Sequence, residues 1–249
     1  MKLLSSRERL IYGVNPIQEA LKAKRRFLTL QIQKGRERAL SEIIAAANRL
    51  SIKIEYIDNH YFEAHLPKGH QGIAARIVDT RDVTLEAILK GIETKKEVPL
   101  FLILDGIEDP RNFGAILRTA HCAGVHAVVH QKRGSTGFTA TASKVSAGAI
   151  EHVEVLETSN IKHVMDKMID ADITLIATEQ GSPVTLWDVD LAVPLALVIG
   201  GEDKAIRQTV RAKCQYAVSI PMVGVIGSLN VSVATGVFCF EVLRQRRKR

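Results

Sequence analysis

With 249 residues, 46% of them hydrophobic and 24% charged, the chain is too apolar for a disordered polymer and long enough for one or two compact domains, two being the better fit. No apolar run approaches the ~20 residues that span a bilayer and no signal-peptide stretch opens the chain, so a cytoplasmic protein without a membrane partner is expected; Cys122, Cys214 and Cys239, scattered and without a CxxC, suggest neither a disulfide framework nor a metal site. The net charge of +7 divides into +6 over residues 1–98 (18 Lys and Arg against 12 Asp and Glu), −4 over 99–243 (11 against 15) and +5 over 244–249, so a polyanion is attracted to the first segment and the tail, and charge alone leaves RNA and an anionic membrane surface both open.

The chain opens as a short strand entering a helix at Tyr12-Gly13-Val14-Asn15-Pro16-Ile17-Gln18. Asn15 is placed to cap that helix, Pro16 suits its first position, and Gln18 stands where a capping-box partner reaches back. The helix runs to about Ala23, and a strand follows over 27–33. Leu40, Ile43, Ile44, Ala47 and Leu50 then recur along one helical face, and Ile52, Ile54 and Tyr56 alternate as a strand. A further strand over 72–78 and a short helix over 85–90 close this part, and 91–99, rich in Thr, Lys and Glu, reads as linker. The reading is a domain over 1–80, a linker over 81–98 and a second domain over 99–249.

From Leu100 the pattern becomes short, nearly continuous apolar runs over 100–104, 127–130, 173–178, 195–199 and 217–220, separated by helical stretches over 113–123, 160–170, 204–213 and 230–244. Such runs suit strands buried on both faces, so the fold class is α/β with a mainly parallel sheet and helices on both faces. Open sheets of this kind bind ligands beyond the carboxyl ends of their strands, which directs attention to the loops at 105–112, 178–183, 200–203 and 221–229.

Those loops carry three motifs. In Asp105-Gly106-Ile107-Glu108-Asp109-Pro110-Arg111-Asn112-Phe113-Gly114, Asn112 can cap the helix that bears Arg118. In Ile199-Gly200-Gly201-Glu202-Asp203, two glycines at a strand end let main chain approach a ligand ahead of a carboxylate. In Ile220-Pro221-Met222-Val223-Gly224-Val225-Ile226-Gly227-Ser228-Leu229-Asn230, a stiff apolar loop can hold adenine, with Ser228 and Asn230 bringing polar groups to the next helix. Taken singly, each has a plain structural reading: Asn112 or Ser228 as a cap, Arg118 as a surface cation, the glycines as an ordinary strand–helix junction.

Together, and in this order, Asn-x-Gly-x-x-x-Arg, a strand ending Gly-x-Glu, Ile-Pro-Met and Ser-Leu-Asn-Val-Ser resemble the signature of the SpoU (TrmH) family of RNA methyltransferases. Ser146-Ala147-Gly148-Ala149 with Glu151 and His152 fits the same pattern, and Ala205 departs from it where the second motif usually carries glycine. Residues 1–80 resemble the small L30e-like RNA-binding domain of the ribosomal RNA members, through Gly13-Val14-Asn15-Pro16-Ile17 with Glu19, Ala20 and Leu21.

The resemblance implies a catalytic domain closed by a trefoil knot that binds S-adenosylmethionine, a homodimer with residues of both subunits near the active site, and helix 230–244 as an interface element. The implied reaction moves a methyl group to the ribose 2′-hydroxyl of a nucleotide, a guanosine of 23S ribosomal RNA, without a metal. Arg118 is the residue nearest that step. A guanidinium stays protonated, so its assigned part is to bind the adjacent phosphate and stabilise the developing alkoxide. Asn112, Glu202, Ser228 and Asn230 fix the nucleotide and the loops, while Thr178, Gly200, Gly201, Ile220, Met222, Ser228 and Leu229 hold the cofactor. Lys22, Lys24, Arg25, Arg26, Lys34, Arg36 and Arg38, with Asn15 and Arg111, are candidate RNA contacts, and Tyr12 a candidate stacking residue. The tail 244–249 is either a frayed end or an electrostatic anchor. Transfer RNA is the alternative substrate, and a non-catalytic RNA-binding or assembly protein the alternative class. A dinucleotide-dependent oxidoreductase is disfavoured because no strand leads into GxGxxG.

Overall fold

The computed structural model describes residues 8–78, 83–132, 136–202, 204–225 and 227–248; Asp203 and Ile226 of the motifs, the first seven residues and Arg249 lie outside them. In chain order the elements are β1 (Glu8–Tyr12), α1 (Val14–Lys22), β2 (Arg26–Gln33), α2 (Ser41–Arg49), β3 (Ile54–Ile57), α3 (Asn59–His65), β4 (Ile73–Val78), α4 (Leu85–Lys95), β5 (Leu100–Asp105), α5 (Pro110–Ala123), β6 (Ala127–Gln131), α6 (Ala140–Val145), a 3₁₀ turn (Ala149–Glu151), β7 (Glu154–Thr158), α7 (Ile161–Asp170), β8 (Thr174–Thr178), β9 (Leu195–Gly200), α8 (Gln208–Arg211), β10 (Tyr216–Val218) and α9 (Val231–Arg246). Two compact units result, one built on the described residues up to 78 together with 138–152, the other on those of 83–137 and 153–248.

The first unit is a four-stranded sheet in the order β1-β4-β2-β3. β4 runs antiparallel to β1 and β2, and β2 and β3 are parallel. Ile11, Leu30, Ile32, Ile73, Ala75 and Ile77 pack with Ile17, Ala20 and Leu21 of α1 and Ile43 and Ala47 of α2, the alternate residues of each strand falling on one face, while Leu50 and Tyr56, expected on patterned faces, are exposed. The cap of α1 differs from expectation. Gly13, at φ 90° and ψ 156°, turns the chain from β1 into the helix before Asn15 is reached, so Gly13 is the N-cap, and the Gln71 side chain accepts the Val14 N–H at 3.0 Å. A Cβ at Gly13 would also lie 2.4 Å from Lys144 Nζ. Pro16 loses nothing there, because first-turn N–H groups have no intrahelical partner.

Two parts of this unit carry no periodic signal. α3 is seven residues long and buries Phe62 alone, too little for a face to show. Residues 138–152 are held by charge instead: the fully buried Glu151 carboxylate receives Arg9 at 3.2 Å and Arg25 at 2.8 Å, Arg25 also donates to the Glu151 carbonyl at 2.6 Å, and His152 meets Glu19 at 2.7 Å.

The second unit is a six-stranded, wholly parallel sheet in the order β10-β8-β9-β5-β6-β7. Phe101, Ile103, Val129, Ala177 and Val198 form one face of the sheet and are covered by Leu85 and Ile92 of α4, Val164, Met165 and Met168 of α7 and Val210 of α8. The alternate residues, Leu102, Leu104, Val128, Leu197 and Ile199, are equally buried on the other face, where α5 and α9 pack on each other and on β6 and β9.

Three elements depart from their expected extents. α4 continues to Lys95 because Ile92 is buried and Lys96 closes the helix in the left-handed region. α8 shrinks to 208–211 because Asp105 accepts from the Arg207 backbone at 2.8 Å and from its Nε at 2.7 Å, holding the preceding residue extended. β7 escapes the pattern because an edge strand, paired only to β6, buries just Val155 and Leu156. The basic end is helical to Arg246, whose guanidinium donates to Val98, Pro99 and Val193 carbonyls at 2.6, 2.7 and 2.9 Å and ties α9 to the starts of β5 and β9. Arg244 is likewise occupied by Glu241.

His130, at the end of β6, is 1% exposed beside the Phe113 ring, and burial pushes its pKa from 6.5 down to about 4. Above pH 6.5 the imidazole is neutral folded or unfolded. Between 6.5 and 4 only the unfolded chain takes up the proton, so folding free energy falls with pH over that window by roughly 3 kcal/mol. Denaturant titrations at pH 7.5 and 4.5 should show wild type losing more stability than His130→Gln; equal losses would contradict the assignment.

Candidate active site

The parallel order reverses between β5 and β9, and the loops leaving their carboxyl ends define the cleft that such a reversal creates. A Cβ at Gly201 would stand 2.3 Å from the Gly106 carbonyl oxygen, so glycine is what lets the two loops touch. A cavity of about 650 Å³ opens beside them, within the range of small-molecule sites. Thr178, Gly200, Gly201, Ile220, Met222, Ser228 and Leu229 all line it, together with Glu202 and Asn230. Thr178 is fixed by its Oγ1 donating to the Val198 carbonyl at 2.9 Å.

Sequence reasoning missed several lining residues. Gln180 and Glu179 sit in a loop already under suspicion, Glu179 holding Arg211 at 2.8 Å, but Ile206 and Phe238 reach the cavity from elements read as ordinary helix. A smaller cavity of about 280 Å³ is lined by Gly106, Glu108, Asp109, Glu202 and Lys204, which puts Glu202 on both walls.

One run of hydrogen bonds joins the three motifs. Asn230, the N-cap of α9, accepts from the Ser232 backbone and hydroxyl at 3.0 and 2.6 Å. Its Nδ2 therefore turns to Asn112 Oδ1 at 3.1 Å, and Asn112 Nδ2 turns to Glu202 Oε1 at 2.8 Å. Each amide is oriented by the one before, and the run ends on a carboxylate. Two expectations about caps are corrected here. Asp109, not Asn112, caps α5, accepting from Arg111 N at 2.8 Å, and Asn230, not Ser228, caps α9. Pro110 starts α5 two residues before Asn112, which frees that amide for the relay.

Arg118 is not part of this lining. It lies about 9 Å along α5 from Asn112 and roughly 120° round it, exposed, with no ion pair or hydrogen bond among the described residues. The face it shares carries partly exposed Ala115 and Thr119 and exposed Cys122, next to α9 with exposed Val233 and Phe240.

The model of the SpoU rRNA Methylase family matches residues 99–240, and that of the RNA 2′-O ribose methyltransferase substrate-binding domain matches residues 10–82. The chain belongs to the SpoU family. It is 38% identical over 240 residues to the 23S rRNA (guanosine-2′-O-)-methyltransferase RlmB of Escherichia coli, covering 95% of this chain and 98% of that one, and 37% identical to RlmB of Yersinia pestis, covering 95% and 97%. The SpoU methyltransferase AviRb of Streptomyces viridochromogenes, solved in complex with AdoMet, superposes with a TM-score of 0.84 at 23% identity over 97% of this chain and 92% of that chain. The activity class of the chain is that of an S-adenosylmethionine-dependent RNA 2′-O-ribose methyltransferase.

In this SpoU chain the residues singled out as RNA contacts fall into three groups. Lys24, Arg26, Lys34, Arg36 and Arg38 of the substrate-binding unit are exposed, as are Lys22, paired with Glu19, and Asn15. Arg25 is committed to buried Glu151, and Tyr12, 3% exposed, packs against Phe62 and Ala74, so neither presents its side chain to a ligand. Arg111, in the second unit, is exposed and paired with Asp109. The direction of β2 parts the exposed cations further: Lys22, Lys24 and Arg26 lie where the strand begins, Lys34, Arg36 and Arg38 where it ends.

Proposed function

We propose that the chain methylates the 2′-hydroxyl of a guanosine in 23S ribosomal RNA and works as a homodimer. The relay from Ser232 through Asn230 and Asn112 to Glu202 carries the reading, since it ties three distant motifs together behind Asn230 and Glu202, which line the cavity. The residues present suit the cofactor. Ile199, Ile206, Ile220, Leu229 and Phe238 supply apolar walls for an adenine ring, and main chain at 199–201 and 227–229 supplies donors and acceptors for its edge. S-adenosylmethionine, when bound, supplies a methyl group on a sulfonium.

The chain contributes position and charge. Glu202, oriented by Asn112 and facing both cavities, is placed to hold the ribose hydroxyl, a poor nucleophile that must be aligned before it reacts. Arg118, away from its own cavity, lies on the partly apolar α5/α9 face that a second copy would cover, from which it would serve the partner's site and stabilise the oxygen as it loses its proton.

The ribosomal substrate is supported by near full-length similarity to the RlmB proteins, amino-terminal unit included. Methylation of purified 23S RNA and of total transfer RNA with labelled cofactor, followed by nucleoside mapping, should place label in 2′-O-methylguanosine of the former. Label confined to transfer RNA would overturn the assignment.

A further inference from the structure

The amino-terminal unit ends on one edge in a pair of rings that no motif pointed to. Tyr61 and His65, one helical turn apart on α3, stack with centroids 4.2 Å apart and planes at 18°. His65 Nδ1 sits 3.0 Å from the Tyr61 carbonyl oxygen, which fixes the imidazole, and Tyr61 remains 38% exposed. Beneath them Phe62 is fully buried, and Gln33 donates to Asn59 at 2.9 Å, so α3 cannot roll its aromatic face inward.

Strand directions show what shares that edge. β2 and β3 are parallel, with Gln33 opposite Ile57, so the turn after β2 and the start of α3 leave the sheet together. β4 begins opposite the end of β2, Ile73 facing Ile32, which brings the turn before it to the same edge. Lys34, Arg36, Arg38 and Lys68, all exposed, therefore lie at the same end of the sheet as the ring pair, Arg36 also donating to the Gln71 carbonyl at 3.4 Å. The acidic groups there are Glu37, Asp58, which pairs with Lys34 at 2.8 Å, and Glu63, 3.6 Å from His70.

We propose that the Tyr61–His65 stack is the platform on which the amino-terminal unit receives one unpaired base of its RNA, with Lys34, Arg36, Arg38 and Lys68 holding the flanking phosphates. The inference rests on the RNA methyltransferase reading and adds the position and nature of the docking contact. A base has an apolar face and continues a ring stack, and rings already stacked lose little freedom when it arrives. Cations at the same end of the sheet as the rings suit a single strand, whose backbone runs beside its bases. The basic residues at the other edge, Lys22, Lys24 and Arg26, have no exposed aromatic ring at their end of the sheet among the described residues.

The test uses the full-length enzyme and two RNA probes of equal length: a hairpin with 2-aminopurine in its unpaired loop, and a blunt duplex. Tyr61→Ala/His65→Ala should weaken hairpin binding on the order of 10- to 100-fold, abolish 2-aminopurine quenching, and leave duplex binding and cofactor affinity unchanged. With a substrate RNA, KM should rise while kcat at saturation holds. Tyr61→Trp should retain binding, and Tyr56→Ala, which removes an exposed ring from β3, should change nothing. Unchanged hairpin affinity in the double variant, or an equal loss on both probes at unchanged melting temperature, would overturn the proposal. Failure of the wild-type enzyme to methylate any RNA would instead overturn the functional reading beneath it.

Discussion

Glu151→Ala is expected to cost about 3–5 kcal/mol of folding stability. The carboxylate is completely buried and answers two guanidiniums that are themselves only 8% and 14% exposed. Removing it leaves both cations desolvated without a counter-charge, and breaking such a cluster from one side costs far more than the cluster nets intact. The attachment of segment 138–152 would be weakened as well, since Arg25 would keep only the carbonyl of residue 151. Chemical denaturation should show a lowered midpoint, and hydrogen exchange should show α6 losing protection. A second variant separates charge from packing: Glu151→Gln keeps the volume and an acceptor and should recover part of the loss. If Glu151→Ala unfolds at the wild-type denaturant concentration, the cluster has no structural role.

That cluster also marks where sequence reasoning stops. Arg9 and Arg25 find Glu151 across separations of 142 and 126 residues, and no local pattern encodes such a pairing. Arg25 consequently reads as one more basic residue in a basic run, and Tyr12 as an aromatic free to stack, when packing has claimed both. Strands β5, β6, β8 and β9 are legible because burial on both faces writes continuous apolar runs. β7 and α3 are not, because an edge strand and a two-turn helix each bury too few side chains to set a period.

The cavity is legible for a different reason. Much of its lining comes from loops at strand ends, and the glycines at 200, 201 and 227 that shape those loops stand out in the sequence. What the motifs withhold is who bonds to whom. Asn112 looks like a cap by position, yet the actual cap, Asp109, lies three residues earlier, and the amide is left to join Asn230 to Glu202. The knot implied by the resemblance is a property of the chain path, and hydrophobic periodicity carries no trace of it.

Arg118→Ala should reduce kcat by roughly 10²–10³-fold, the loss typical when a fixed charge facing a developing oxyanion is deleted, with melting temperature and cofactor affinity unchanged. The structural half of this expectation is direct: an exposed guanidinium with no partner among the described residues stabilises nothing in its own chain. The catalytic half depends on where the arginine works. It stands outside its own cavity, so the proposed dimer requires it to act across the α5/α9 face. Co-expressing Arg118→Ala with Asn112→Ala decides this. Each mixed dimer would pair an intact Asn112 with the other subunit's intact Arg118 at one of its two sites, and random pairing should restore roughly a quarter of wild-type activity. If arginine serves its own subunit, every site in the mixture carries a defect and no activity returns. Near-normal turnover by Arg118→Ala alone would remove it from the reaction altogether and shift the burden to the polar groups that line the cavity, Glu202 and the relay behind it first among them.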